Sequence, residues 1–241
     1  IASCLVGSEM CIRDSTWTDQ DPEFEARLAA LAAAVTSPEG PARGVLQAVA
    51  DRIAEPGLVV QLGHKLVQLA APGVPDVYQG TEVPFPTLVD PDNRRPVDFA
   101  ARADLLDRLD AGHTPGLDDP AAAKLAVVAG VLRARRDRPE LFTGHRPLDV
   151  SGPAAEHAIA FDRGGALAVA TRWPVRLAAA GGWGQTVVTV PAGRWEDAVT
   201  GHPVHPDARG AVRLDELLST LPVALLVPAH APSDRRERTA P

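Results

Sequence analysis

The segment from Gly73 to Asp98 is the part of the sequence richest in side chains that could bind or transform a ligand. Its carboxylates, amides, guanidinium groups and phenol belong to Asp76, Tyr78, Gln79, Glu82, Asp90, Asp92, Asn93, Arg94, Arg95 and Asp98. Planar amide, carboxylate and guanidinium groups provide the paired donors and acceptors that sugar hydroxyls need. The alternative is an internal ion-pair network in which Arg94 and Arg95 only hold the segment in place. Both uses stay open for each residue.

Other signatures of chemistry in the sequence are weak or missing. Asp90 and Asp92 have the spacing that begins a calcium loop, but Arg95 and Ala101 stand where glycine and glutamate are needed. A metal ion could also be shared by two histidines, His202 and His205, although their proline-containing turn favours solvated loop residues. The sequence has no phosphate-binding glycine loop, zinc-protease motif, serine-hydrolase elbow or dinucleotide fingerprint. We therefore predict no metal site and no cofactor.

The overall composition argues against several classes of protein. The chain has 241 residues, with 24 lysines and arginines against 31 aspartates and glutamates, which leaves a formal charge of -7. A binder of nucleic acid or of anionic membranes needs a basic face, so neither is expected as a partner. A mean hydropathy of -0.04 and the lack of a long uncharged apolar run argue against a transmembrane helix. Two cysteines cannot form a disulfide framework.

The first 15 residues differ from the rest of the chain. They hold both cysteines, Cys4 and Cys11, and the only methionine, Met10. A signal peptide would need a basic start and an unbroken apolar run, and a metal-binding cysteine pair would need further ligands nearby. The segment also resembles translated sequencing adaptor. We therefore predict that residues 1–15 are not native and that native sequence begins near Thr16.

Helical signals dominate the first half of the chain. An aspartate placed just before a proline or an apolar repeat predicts a capped helix start. The predicted helices cover residues 21–37, 41–54, 58–71, 98–110 and 119–136. Pro56-Gly57 divides the second helix from the third, and the third is apolar almost all round, so we expect it to be buried between neighbours. Val74 to Tyr78 is predicted to be a short strand, followed by a long loop.

Short apolar or alternating runs dominate from about Arg146 onward. Turns containing glycine or proline separate them at fairly even spacing, which is typical of an antiparallel β-sandwich. The predicted strands are residues 158–161, 166–170, 186–190, 195–199, 211–214 and 223–227. Three tryptophans in this part, Trp173, Trp183 and Trp195, could form a platform that stacks on sugars, but packing in the core or at an edge is favoured.

Two consecutive segments resemble a known family. The last-strand motif Gly-x-Pro-x-x-Tyr-x-Gly-x-Glu of the α-amylase superfamily resembles Ala71-Pro72-Gly73-Val74-Pro75-Asp76-Val77-Tyr78-Gln79-Gly80-Thr81-Glu82. The next run is more specifically similar to the maltooligosyl trehalose synthase family: Leu88-Val89-Asp90-Pro91-Asp92-Asn93-Arg94-Arg95-Pro96-Val97-Asp98. Three further segments also resemble this family: Thr16-Trp17, Arg133 to Phe142 and Leu221 to Leu226. The resemblance therefore covers nearly all of the chain from Thr16 to about Pro228. One departure is Val83-Pro84-Phe85-Pro86, where the family usually has a tryptophan-containing segment.

This resemblance implies an α/β fold followed by a β domain. The C-terminal end of a (β/α)8 barrel is expected over residues 16–143, an antiparallel β-sandwich over residues 144–230, and a disordered tail over residues 231–241. The implied enzyme is an isomerase of trehalose biosynthesis with a cytoplasmic location. It turns the reducing-end α-1,4 bond of a maltooligosaccharide into an α,α-1,1 bond by intramolecular transglucosylation.

The resemblance also implies which residues do what. The family's catalytic carboxylates precede the matched stretch, so we expect no catalytic residue here. The chain would be an inactive piece whose partner is the missing N-terminal part of the same protein. The motif implies that Glu82 has a structural role or lies at the rim of the barrel. The candidates for contacts with the glucan substrate are Gln79, Asp92, Asn93, Arg94 and Arg95. The alternatives are another hydrolase of the α-amylase superfamily and a non-catalytic glucan-binding or interaction module.

Overall fold

A computed structural model of the chain describes residues 21–87 and 94–229. The predicted non-native segment and the predicted tail lie outside these residues. Helices fill the first part of the described chain and antiparallel sheets the second, as the sequence predicts. No described helix has the length and apolar character needed to cross a lipid bilayer. The helices are α1 (Pro22–Thr36), α2 (Arg43–Ala70), α3 (Phe99–Asp110), α4 (Pro120–Asp137), α5 (Pro174–Ala179) and α6 (Leu214–Leu217).

Aspartate side chains start three of these helices, as predicted. The Asp21 carboxylate accepts hydrogen bonds from the backbone N–H groups of Glu23 and Phe24 at the start of α1. Asp98 accepts from Ala101 N at 2.9 Å and so caps α3. The Asp119 carboxylate caps α4 in the same way. A carboxylate at this position satisfies amides that have no partner inside the helix and interacts favourably with the helix dipole.

The predicted break at Pro56 is wrong, because α2 continues through it as a single helix. A proline inside a helix removes one hydrogen bond and costs about 3 kcal/mol. That cost is offset by a fully buried stripe on the second half of α2, formed by Leu62, Leu66 and Leu69. The expectation that this half is buried between neighbours is confirmed, although Val60 is 38% exposed.

The predicted strand from Val74 to Tyr78 is also wrong, since this segment has no regular secondary structure and pairs with no strand among the described residues. A strand needs a neighbouring strand to satisfy its backbone groups. Here side chains satisfy some of them instead. Arg135 donates to Gly73 O at 2.7 Å and Gln68 donates to Asp76 O at 2.7 Å.

Within the described residues, nine short strands form two antiparallel sheets. They are β1 (Arg146–Pro147), β2 (Val150–Ser151), β3 (Ala158–Asp162), β4 (Leu167–Thr171), β5 (Val187–Thr189), β6 (Trp195–Asp197), β7 (Pro203–Val204), β8 (Ala211–Arg213) and β9 (Val223–Pro228). The larger sheet has the order β1-β3-β4-β9-β6-β7 and the smaller one β2-β5-β8. The six strands predicted after Arg146 are all confirmed, with ends that differ by one or two residues.

The central strands β4 and β9 are buried on both faces. Alternate residues, among them Ala168, Ala170 and Leu225, share a hydrophobic cluster with α2 and α4. The intervening residues, Leu167, Val169, Ala224 and Leu226, share a second cluster with Val188 and Val212 of the smaller sheet. Because side chains alternate between the two faces of a strand, this pattern makes three layers, with the larger sheet in the middle.

Gly130 of α4 provides a test of the contact between helices and sheet. A Cβ atom at this position would lie 2.4 Å from the carbonyl oxygen of Ala198, which follows β6. We expect Gly130→Ala to lower the free energy of unfolding by about 1–3 kcal/mol, because the helix must shift away from the sheet. Chemical denaturation of the variant measures this change.

The matched control is Gly57→Ala in α2, where an added Cβ meets no atom within 4 Å. Alanine is the better helix former by about 1 kcal/mol, so this variant is expected to be as stable as the wild-type chain or more so. Equal effects of the two substitutions would contradict the close contact at Gly130.

Candidate functional site

The loop between Tyr78 and α3 carries the residues predicted to contact a glucan. Gln79 is exposed and lies at the start of the loop, while Arg94 and Arg95 are exposed and lie on the returning limb just before α3. Asp92 and Asn93 lie outside the described residues. The structure therefore places three of the five predicted residues at the surface, on both limbs of one loop.

A tight turn at Gly80 begins this loop. The backbone N–H and the hydroxyl of Thr81 both donate to Tyr78 O, at 3.0 and 2.7 Å. Gly80 has φ +88, and a Cβ there would lie 3.1 Å from Val97 Cγ2 on the returning limb. Glycine is required here both for its left-handed backbone and for the space it leaves, since the two limbs of the loop meet at this residue.

Arg102 of α3 holds the loop at three points. Its guanidinium donates to Gly80 O at 3.1 Å and to Asp98 O at 2.9 Å. Its Nε lies 3.4 Å from Glu82 Oε2, and the side chains of Arg102 and Glu82 are only 16% and 24% exposed. One planar cation thus binds both limbs of the loop. The guanidinium group of arginine suits this role because its N–H donors have a fixed, forked geometry. The Glu82 carboxylate is engaged in a half-buried ion pair.

Two buried lysines lie under the same loop. Lys124 of α4 is 6% exposed and donates to Val83 O at 3.2 Å. Lys65 of α2 is 8% exposed and donates to Gln68 Oε1 at 2.7 Å. Burial, with a smaller effect from the charge of Lys65, lowers the pKa of Lys124 to about 8, although the Glu82 carboxylate opposes the shift. Burial also lowers the pKa of Lys65, against the opposing effect of Glu82 and Asp76.

Sequence reasoning missed the residues that support the loop. Arg102 and Lys124 contact backbone groups far away along the chain, and no local motif predicts such contacts. One signal was present for the lysines: they are the only two in the chain, and each sits within an apolar helical stretch. A charge in such a setting is rare unless it has a partner.

The tryptophans and histidines singled out in the sequence contribute less to the candidate site. Trp195 is 5% exposed and packs between the sheets, while Trp183 packs against the same cluster, so packing is the right interpretation for both. Trp173 is 38% exposed, with the Arg172 guanidinium 3.5 Å from its ring centre. His202 and His205 are exposed. Within residues 21–87 and 94–229, no three potential ligands are grouped so as to hold a metal ion.

Comparison with known proteins places this loop and fold in context. No family model matches the chain. A protein of Mycobacterium tuberculosis that bears the name maltooligosyl trehalose synthase is 46% identical over 173 residues, which is 70% of this chain and 20% of that protein. The solved maltooligosyltrehalose synthase of Arthrobacter ramosus is 52% identical, with a TM-score of 0.82, over 89% of this chain and 28% of that one.

The chain is homologous to part of the maltooligosyl trehalose synthases. This confirms the resemblance inferred from the sequence, over part of the length of those proteins. A further solved synthase, at 21% identity and a TM-score of 0.63, covers 89% of this chain and 28% of its own, and it supports the fold alone. The chain spans about a fifth of the length of its curated synthase relatives, 20% in each case.

The three contacts of Arg102 can be tested by substitution. We expect Arg102→Met to lower the free energy of unfolding by about 2–4 kcal/mol, because Glu82 and two carbonyl groups lose a charged partner. Arg108→Met is the matched control, since Arg108 is an exposed arginine of the same helix. The control is expected to change stability by about 0.5 kcal/mol or less. Urea denaturation compares the two, and an equally small effect of both would show that Arg102 does not hold the loop.

Proposed function

We propose that this chain forms the end of the catalytic (β/α)8 barrel of a maltooligosyl trehalose synthase, together with its adjoining β-sandwich. The observation that carries the proposal is the 52% identity and TM-score of 0.82 with the Arthrobacter ramosus synthase over 89% of the chain. The proposed barrel end covers residues 16–143 and the proposed sandwich residues 144–230. The two sheets with a shared apolar cluster are consistent with a sandwich. The cytoplasm is the proposed location.

The proposed reaction is an intramolecular transfer of a glucosyl unit. The α-1,4 bond at the reducing end of a maltooligosaccharide breaks, and the anomeric hydroxyl of the released glucose attacks the glucosyl-enzyme to form an α,α-1,1 bond. Such chemistry with retention needs a nucleophilic carboxylate and an acid/base carboxyl group about 5 Å apart. We assign neither role to this chain, and both would come from the stretch that precedes it in the relatives.

The role proposed for this chain is to contact the substrate. Its proposed glucan-binding residues are Gln79, Asp92, Asn93, Arg94 and Arg95. Gln79, Arg94 and Arg95 are exposed on the loop, where they can meet hydroxyl groups of a sugar chain. Arg102 and Gly80 hold the two limbs together. Such support matters because small errors in the position of a bound substrate strongly reduce the rate of reaction.

The proposed partner is the missing N-terminal part of the same protein. α1 and the first half of α2 expose large apolar side chains to solvent: Phe24, Leu31, Val45, Leu46, Val49 and Ile53. Apolar groups clustered on one surface mark sites of association. In the relatives, this chain matches only a minor share of the length, so the remaining barrel is the proposed cover for this face.

A substitution at Arg95 tests the role of the loop. In a full-length synthase that contains this sequence, we expect Arg95→Ala to lower kcat/KM for trehalosyl-product formation by about 10- to 100-fold, the effect of losing a hydrogen bond to a charged group. Arg108→Ala, in an exposed part of α3, is the matched control and should leave kcat/KM unchanged. Product analysis by chromatography measures trehalosyl ends and free glucose together.

Two results would contradict the proposal in different ways. Unchanged kinetics with a lower melting temperature would show that Arg95 only stabilises the loop. Free glucose as the main product of the unsubstituted enzyme would favour the alternative of a hydrolase of the α-amylase superfamily, in which water completes the reaction.

A further inference from the structure

Both lysines of the chain line one open pocket between α2 and α4. The pocket has a volume of about 480 Å³, and its polar side chains are Gln61, His64, Lys65, Gln68 and Lys124. Fully or nearly buried lysines are rare unless they have a charged partner. The placement of Lys65 and Lys124 on the same pocket therefore calls for an explanation beyond packing.

The carboxylates near this pocket do not balance its cations. Glu82 makes an ion pair with Arg102, whose Nε is 3.4 Å away. Asp76 acts electrostatically on Lys65, together with Glu82. Among the described residues, no carboxylate forms an ion pair with Lys124. Within residues 21–87 and 94–229, two ammonium groups and one guanidinium thus interact with two carboxylates, so the cations of this group outnumber the anions by one.

The two lysines also disfavour each other's charge. Lys65 is one of the causes that lower the pKa of Lys124. Each ammonium has three donors, and the structure gives one acceptor to each, Val83 O to Lys124 and Gln68 Oε1 to Lys65. An anion with several acceptor oxygens would relieve the repulsion and use the remaining donors.

We propose that the pocket between Lys65 and Lys124 binds a small oxyanion, a phosphate or a carboxylate group. Charge-assisted hydrogen bonds from two ammonium groups to one oxyanion are short and strong, especially where water is partly excluded. The pocket is lined by residues of α2 and α4 and by none of the loop residues Gln79, Arg94 and Arg95. Anion binding is measured on the lysines themselves, so its failure is distinguishable from failure of the proposed glucan contacts.

The test uses the whole chain labelled with [13Cε]-lysine, because only two side chains then give signals. The probes are sodium phosphate and sodium acetate, each compared with sodium chloride at the same ionic strength. We expect the Lys124 signal to titrate near pH 8 in chloride. A bound anion favours the charged amine, so saturating phosphate or acetate should raise this midpoint by about one unit or more, a tenfold change in proton affinity. The two anions separate the phosphate class from the carboxylate class.

The pH titration also involves the groups that face Lys124 and Lys65. These groups are Glu82 and Asp76, the Arg102 that pairs with Glu82, and His64, which lines the pocket. Because only the lysines carry the label, the signals report the two lysines directly. Identical midpoints in phosphate, acetate and chloride, or shifts that grow without saturation, would overturn the proposal.

Substitutions provide a second measurement. In Lys124→Met, the phosphate-dependent shift of the Lys65 signal should be lost, whereas Arg108→Met should retain it. Lys124→Arg keeps the positive charge and should retain at least part of the anion-dependent shift of Lys65. This variant therefore distinguishes loss of anion binding from loss of the folded structure. Full retention of the shift in a folded Lys124→Met chain would also contradict the site.

Discussion

The structure depends on the packing of the second half of α2 against the middle of the larger sheet. Leu62, Leu66 and Leu69 share a cluster with Ala168 and Ala170 of β4 and with Leu225 of β9. Small residues on the strands allow the helix to come close, as the 3.5 Å approach of a Gly63 Cβ position to Thr171 O shows. With the smaller sheet on the opposite side, β4 is buried along its whole length. Helices and sheets are therefore stabilised by one continuous apolar interior.

Two arginines fix the end of α2 and so the start of the loop. Arg135 donates to Leu69 O at 2.9 Å and Gly73 O at 2.7 Å. Arg163, in the turn between β3 and β4, donates to Ala70 O. The last carbonyl groups of a helix have no partner inside it and carry partial negative charge, so guanidinium groups are suitable partners. The sheet thereby positions the segment that leads to Gln79.

Local signals predicted the parts of the fold that local physics decides. The helix starts at Asp21, Asp98 and Asp119 follow from a carboxylate meeting amides two or three residues away. The break at Pro56 failed because distant packing outweighs the local cost of a proline. The strand at Val74 to Tyr78 failed because strand formation needs a partner that no local pattern contains. Two-residue strands such as β1 and β7 are too short to give a periodic signal.

The candidate site likewise has parts that the local sequence predicts and parts that depend on distant contacts. Residue types marked the segment that contains Gln79, Arg94 and Arg95, and the family resemblance made these residues candidates for contact with a glucan. The support from Arg102 and Lys124 could not be predicted, since each contact joins segments 22 or 41 positions apart along the chain. Exposed groups that can contact a ligand are thus visible in the sequence, whereas the buried groups that position them become visible only in the fold.

The most direct measurement of the shared interior compares two probes of unfolding. Helix content, followed by circular dichroism at 222 nm, reports mainly α1 to α4, while the fluorescence of Trp173, Trp183 and Trp195 reports the sheet region. A Trp17→Phe background removes the remaining tryptophan. If α2 and the larger sheet share one core, both signals change at the same urea concentration in a single transition. Two separated transitions, with the tryptophans unfolding independently of the helices, would contradict the account.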